Sequence, residues 1–252
     1  MDGLATLIAI AAFATSVISA VLGMAGGMIL MGIYALALPV QIAMILHGVT
    51  QLFANGFRAF LLRDRIYTAG LGWYALGAAG ALGFFTWLAL VVAGPVLFLL
   101  LGAIPLLLSL VPRRFAPRFE RRGAAAACGA LVTSAHLLAG VSGPLLDVFF
   151  VRADLDRFEV IATKAVTQTA GHALKILYFA VLVPGPDLEF TLPIWLFPAL
   201  VVCAYLGTRA GGRILESLSD SGFRRWTGRT VVALSLLYVW RGATGLGFSV
   251  PW

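Results

Sequence analysis

Long apolar runs separated by short glycine-rich or charged breaks make up nearly the whole chain. The first run, Leu4–Leu22, is followed by Gly23-Met24-Ala25-Gly26-Gly27 and a shorter run, Met28–Leu38, closed by Pro39. Val40–Leu62, Tyr67–Val92 and Pro95–Val111 come next, ahead of a loop carrying Arg113, Arg114, Arg118, Arg121 and Arg122. The second half opens with Gly123–Ala139, breaks at Gly140-Val141-Ser142-Gly143-Pro144, and resumes with the short run Leu145–Val151. Phe158–Val183, Leu192–Gly212 and Trp226–Leu246 complete it. The runs are continuous and Leu/Ala-rich, without the period of two that barrel strands require, so they predict helices.

Run length then sorts these helices. A membrane-spanning helix takes about 20 residues at about 1.5 Å each. Leu145–Val151 is too short to cross. The pattern therefore predicts that Gly123–Ala139 enters, breaks at the glycines and returns to the same side, a re-entrant hairpin over 123–151. Residues 4–38 read as the same unit with a longer return arm. Such a hairpin is tolerated only where its broken backbone is buried in protein or lines a wet cavity. The expected fold is an all-α polytopic membrane protein. A first repeat (1–112) holds hairpin 4–38 and helices 40–62, 67–92 and 95–111. A basic cytoplasmic linker (113–122) leads to a second repeat (123–252), with hairpin 123–151 and helices 158–183, 192–212 and 226–246.

Composition strengthens this reading. Of 252 residues, 61% are hydrophobic and 12% charged, which excludes an ordinary soluble domain or a disordered chain. The net charge of +7 sits at the ends of apolar runs, which points to membrane topology and away from nucleic acid. Placing Arg63/Arg65, Arg113–Arg122, Arg152/Arg157 and Arg209–Arg225 in the cytoplasm leaves outer turns at Ala93-Gly94 and Pro184–Glu189, the latter with only Asp187 and Glu189 charged. Both termini then fall outside, and Arg241 is the one misfit. Met1-Asp2-Gly3 lacks the positive start of a cleaved signal, so the first run reads as retained. Cys128 and Cys203 match no metal spacing and read as packing residues. No P-loop is present, which argues against ATP-driven transport by this chain alone.

The halves match at an offset of 117 residues. Gly23 falls on Gly140, Gly26 on Gly143, His47 on Lys164, Val49-Thr50-Gln51 on Val166-Thr167-Gln168, Asn55 on His172 and Arg58 on Lys175. The charge rule makes the matched helices run in opposite directions. An inverted repeat of this kind is typical of secondary transporters. The glycine breaks Leu22–Gly27 and Ala139–Pro144, the two-part repeat and the length resemble the sulfite exporter TauE/SafE family of membrane permeases, over nearly the whole chain. The family's usual glycine run is thinner here, and Pro144 stands in place of a glycine. The resemblance implies export of sulfite, an organosulfonate or a related small anion across a bacterial cytoplasmic membrane.

Polar residues inside the apolar helices mark the expected site. Lys164, Thr167, Gln168, His172 and Lys175 form a stripe at helical spacing, mirrored by His47, Thr50, Gln51, Asn55 and Arg58. Basic groups within the membrane face a cavity or a partner. Helix starts at Gly27 and Pro144, with Ser142 as cap or hydroxyl donor, would offer unpaired N–H groups to an anion. Gly23, Gly26, Gly27, Gly140, Ser142 and Gly143 therefore join the stripes as substrate-binding candidates. His136, Asp147 and His172 are proton-coupling candidates, with Asp147 also a partner for Lys164. Thr50 and Thr167 have the plainer alternative of bonding to their own helix carbonyls. No metal site, cofactor or nucleic-acid partner is expected. The partners are the lipid bilayer and a small anion, and a homo-oligomer stays open. Alternating access, proton-coupled or as simple uniport, is the leading reading. An anion channel, and an intramembrane serine protease using Ser142 and His172, are the alternatives.

Overall fold

The structure, a computed structural model, describes residues 2–22, 24–185, 192–216 and 220–247. It is all-helical, with 82% of the chain in helix and no strand among the described residues. In chain order the helices are α1 (Asp2–Leu22), α2 (Met24–Ala37), α3 (Val40–Leu61), α4 (Leu71–Leu88), α5 (Gly94–Ser109), α6 (Arg122–Ala139), α7 (Gly143–Phe150), α8 (Arg157–Leu177), α9 (Leu196–Glu216) and α10 (Asp220–Gly245). Gly23, Asp187 and Glu189, which the sequence singles out, lie outside the described residues.

A helix break falls at or near each glycine-rich segment, with one correction to the expected helix starts. α2 starts at Met24, so Gly26 and Gly27 lie inside the helix rather than ahead of it. The second break is sharper. Gly140 ends α6 in the left-handed conformation, at φ 75°, and α7 begins at Gly143 with Pro144 in its first turn. Proline suits that position because its missing N–H has no intrahelical partner there.

Other boundaries move for local reasons. α4 is shorter than 67–92, because Gly70 precedes it and Ala89 ends it with a positive φ of 49°. α8 starts at a capping box. The Asp156 carboxylate accepts from Phe158 N–H (2.7 Å) and Glu159 N–H (2.9 Å), while the Glu159 side chain accepts from Asp156 N–H (2.8 Å). α3 and α8 begin 117 residues apart, at Val40 and Arg157, matching the sequence offset. α9 and α10 begin later than that offset places them, because the connection after α8 is longer than the one after α3.

A π turn over Tyr178–Leu182 closes α8. Val183 N–H reaches back five residues to Tyr178 O (2.8 Å), which leaves the Phe179 carbonyl out of the ladder. The buried Gln41 side chain supplies the missing donor, 2.7 Å from Phe179 O and 2.9 Å from Val183 O.

Four helix pairs organise the bundle: α1 with α9, α4 with α6, α3 with α8 and α5 with α10. α1 and α9 run parallel, Gly207 facing Phe13 and Ser16 while Gly211 faces Val17 and Ala20. α4 and α6 start side by side, with Arg122 over the Trp73 ring, and cross closely where Gly77 meets Ala126 and Gly129 meets Tyr74. α3 and α8 are antiparallel, Gly48 lying against Ile176 and Gly56 against Thr169. α5 and α10 are antiparallel as well, Gly102 against Val239 and Gly242 against Pro95.

Polarity is turned inside out. α3 buries Gln41, His47, Thr50, Gln51 and Asn55, and α8 buries Thr163, Thr167, His172 and Lys175. Large apolar side chains cover the outside, among them Leu7, Leu76, Trp87, Ile194 and Leu236. Among the described residues two helices, α1 and α4, suffice by length and composition to cross a membrane, and α2 and α5 are apolar but shorter. The sequence pattern predicts more spans. The inward polar residues of α3 and α8 lower the mean hydropathy of those helices without touching their outer faces.

Charge gathers at one end. Arg65 meets Asp156 at 3.7 Å, and Arg118 meets Glu120 at 3.3 Å and Asp154 at 3.8 Å. Arg152 donates to the carbonyls of Arg114 (2.5 Å) and Ala116 (3.4 Å), and Tyr67 N–H to Thr163 Oγ1 (2.9 Å). The described backbone places Arg224 and Arg225 in the first two turns of α10.

Candidate functional site

All three histidines of the chain and one of its two lysines meet in the core. His47 comes from α3, His136 from the last turn of α6, and His172 and Lys175 from α8. Each is buried, and Lys175 is completely enclosed. The antiparallel packing of α3 on α8 sets Lys175 opposite His47, and the Gly140 turn brings a backbone carbonyl to the same point.

The hydrogen bonds fix the roles of these groups. His47 Nε2 lies 3.0 Å from the Gly27 carbonyl, which only accepts, so that nitrogen carries the proton. Its Nδ1 is then the acceptor for Lys175 Nζ at 2.7 Å. Lys175 Nζ also donates to Gly140 O at 3.0 Å. An ammonium has three donors, and these bonds use two. No carboxylate among the described residues lies within ion-pair distance of Lys175.

The His172 ring joins the other two. Its centroid is 4.4 Å from that of His136, in a stacked arrangement, and 5.4 Å from that of His47, edge to face. His136 Nε2 is 2.7 Å from Ser142 Oγ. Three buried nitrogens nearby have no partner among the described residues: His136 Nδ1, His172 Nδ1 and Gln51 Nε2. Gln51 borders Gly27, where a Cβ would sit 3.7 Å from its amide. Unpaired buried polar groups are rare and costly enough to ask what completes them.

Gly140 is required twice. Its φ of 75° suits glycine, and a Cβ there would press on the Met31 side chain. At the next break a Cβ on Gly143 would fall 2.6 Å from Met24 Cβ, so the start of α7 sits directly against the start of α2. The second break thus packs onto the return arm of the first hairpin.

Several expected site residues lie elsewhere. Gly26 packs α2 onto the α1 backbone at Thr15 and Ser19, away from the histidines. Thr50 Oγ1 bonds to Leu46 O (3.0 Å), and Thr167 Oγ1 to the carbonyls of Thr163 and Lys164 (both 3.0 Å), so both hydroxyls serve their own helices. Asn55 Nδ2 donates to Gln51 O at 2.9 Å and sits beside its side chain. Gln168 is half-buried, unlike its buried counterpart Gln51. Lys164 and Asp147 pair with each other, half-exposed, away from the histidines and toward the charged end. Asp147 is therefore not part of the cluster. Ser142 occupies the N-cap position of α7 but makes no capping bond, because its hydroxyl is turned to His136. The bond from Ser142 goes to His136, not His172.

The meeting of the histidines escapes the repeat offset, which pairs His47 with Lys164. The antiparallel run of α3 and α8 would have found it, since numbering rises along one helix as it falls along the other. Among the described residues no group of His, Cys, Asp and Glu is arranged to hold a metal ion. Comparison with family models, with curated proteins and with solved structures finds no match to this chain.

Proposed function

We propose that this chain is a polytopic membrane carrier that moves a small anion through the site around Lys175. The observation that carries the reading is the enclosed Lys175 amino group, which has hydrogen bonds but no carboxylate partner among the described residues. A buried cation needs a counter-charge, and an unpaired one inside a membrane protein marks a substrate path. An oxyanion would supply that charge and accept from the remaining Lys175 donor and Gln51 Nε2. The two unpartnered histidine nitrogens add further hydrogen-bonding capacity.

The membrane reading is supported by the apolar outer shell, the polar interior and the arginines that, apart from Arg241, gather toward one end, which the positive-inside rule would set in the cytoplasm. The inverted repeat is supported by the helix pairs. Exchanging the halves maps α1–α9 onto α6–α4, both parallel, and maps α3–α8 and α5–α10 onto themselves, both antiparallel. Two inverted units rocking about a central ligand is the mechanism such symmetry serves. The break motifs, through their resemblance to the TauE/SafE permeases, favour sulfite or an organosulfonate as the anion and export across a bacterial cytoplasmic membrane as the direction. The stacked histidines offer groups that take up a proton with the anion.

Purified protein in proteoliposomes tests this. With the potential clamped, sulfite or sulfonate flux should saturate with concentration in wild type. It should fall at least about tenfold in Lys175→Met, while Lys164→Met keeps most of it. Saturable flux that is intact in Lys175→Met would overturn the site. No saturable flux of sulfite, sulfonates or carboxylates would overturn the carrier. An imposed pH gradient that drives no accumulation reduces the mechanism to uniport.

A further inference from the structure

The basic linker does more than mark a side. Phe119 anchors it: its ring stacks on Phe150 at 4.6 Å, and its N–H donates to Phe149 O at 3.2 Å. Arg152, just past α7, grips the same segment through the carbonyls of Arg114 and Ala116. Between these walls opens a cleft of about 640 Å³, lined by Arg114, Arg118, Arg121 and Arg152 with Phe115 and Pro117. Arg118 is neutralised by Glu120 and Asp154. Arg114, Arg121 and Arg152 have no carboxylate partner among the described residues, and Arg114 lies 4.8 Å over the Phe115 ring.

Three unneutralised guanidinium groups converging on one cleft form a receptor for a phosphate-type anion, whose oxygens match their forked donors. A positive-inside distribution asks only that arginines lie on this side; it does not ask them to converge. The rim supplies the second clue. Phe115 (68% exposed) lines the cleft, and Leu110 (76%), Val111 (39%) and Val151 (45%), within a few residues of Arg114 and Arg152 along the chain, leave further apolar surface. A free anion has no use for that surface, whereas acyl chains would cover it.

We propose that this cleft binds an acidic phospholipid, its phosphodiester among Arg114, Arg121 and Arg152 and its chains against the exposed apolar rim. A lipid held there would bridge the linker between the halves to the end of α7.

The test uses the full chain in nanodiscs of phosphatidylcholine with or without phosphatidylglycerol, released into the mass spectrometer with bound lipid retained. Wild type should keep phosphatidylglycerol preferentially. Arg114→Gln/Arg121→Gln should lose that preference by about thirtyfold, the order expected for two interfacial cations. Arg63→Gln/Arg213→Gln, which removes equal charge outside the cleft, should keep it. Equal loss in both double variants would overturn the proposal, leaving only diffuse attraction. Displacement of the lipid by glycerol phosphate at equal concentration would overturn the lipid assignment. Arg114 and Arg121 donate no side-chain bond to another described residue, so the variant should fold, and its unchanged melting temperature in phosphatidylcholine alone is the control.

Discussion

His136 and His172 lie face to face, ring centroids 4.4 Å apart and planes inclined by 26°, with no hydrogen bond between them. The contact exists because Gly171, the residue before His172, has no side chain. A Cβ there would run into the His136 ring. α6 and α8 thus meet through two imidazoles seated over a glycine, and neither Nδ1 has a hydrogen-bond partner among the described residues.

Gly171→Ala should therefore push His136 off both His172 and Ser142. Overpacking of this kind costs about 1–3 kcal/mol. Anion affinity, read by isothermal titration with sulfite, should drop about tenfold or more while the chain still folds. Unchanged affinity would mean that the stacked pair does not contribute to the site.

Gly140→Ala should be more damaging to folding. It forces a left-handed backbone on a residue with a side chain, at about 1–2 kcal/mol, and presses a methyl onto Met31. It also shifts the carbonyl that holds Lys175. Thermal unfolding in detergent should fall by several degrees, whereas Gly80→Ala, at a position with open space around it, should leave the transition in place.

Topology is open to cysteine labelling in a background lacking Cys128 and Cys203. Ala93→Cys and Arg118→Cys lie at opposite ends of the described bundle and should react with membrane-impermeant maleimide from opposite sides. Labelling of both from one side would end the proposed membrane arrangement.

Glu120 gives the charged end a pH signature. Burial raises its pKa, but the N–H of Asp154, its own N–H and Arg118 together outweigh that and hold it below the usual value. A carboxylate depressed in the folded state contributes stability above its unfolded pKa and loses it as pH falls through the folded one. Glu120→Gln should lower the melting temperature at neutral pH by roughly 3 °C. The gap to wild type should close as the pH drops through the carboxylate range. A gap independent of pH would assign the effect to shape alone.

Much of the fold is legible in the sequence because it rests on local signals. The glycine breaks, the short run after Pro144 and the matched starts of α3 and α8 are all visible along the chain. The apolar runs locate α9 and α10 but shift their ends by a few residues, and the repeat offset misplaces their starts because the connection after α8 is longer. At the site, Lys175, His47, Gln51 and Gly140 belong to stripes and motifs that residue type alone reveals. Asp147 is offered by the sequence as a partner for Lys164, and that pair forms near the charged end. The contacts of Lys175 with His47 and the Gly140 carbonyl do not show, because they depend on how α3 and the α6–α7 turn pack on α8, a tertiary arrangement with no local trace. The role of Ser142 is hidden similarly, since a serine before a helix predicts a cap and only the position of His136 turns its hydroxyl away.

The π turn after Lys175 means that α8 carries one residue more than an α-helix would need between the core and its far end. Removing a single residue from 178–182 would return Phe179 O to the helical ladder and strand Gln41 without its acceptors. The residues beyond would keep nearly their present facing, because four residues of α-helix turn through about the same angle as the five of the wide turn. Tyr178, whose hydroxyl bridges Phe85 O (3.1 Å) and Leu90 O (2.8 Å), fastens this wide turn to the end of α4. The same spare residue is a store of slack: α8 can trade its wide turn for a regular one, and so change the facing of Lys175 relative to its outer end, without breaking the chain's continuity or unwinding the helix.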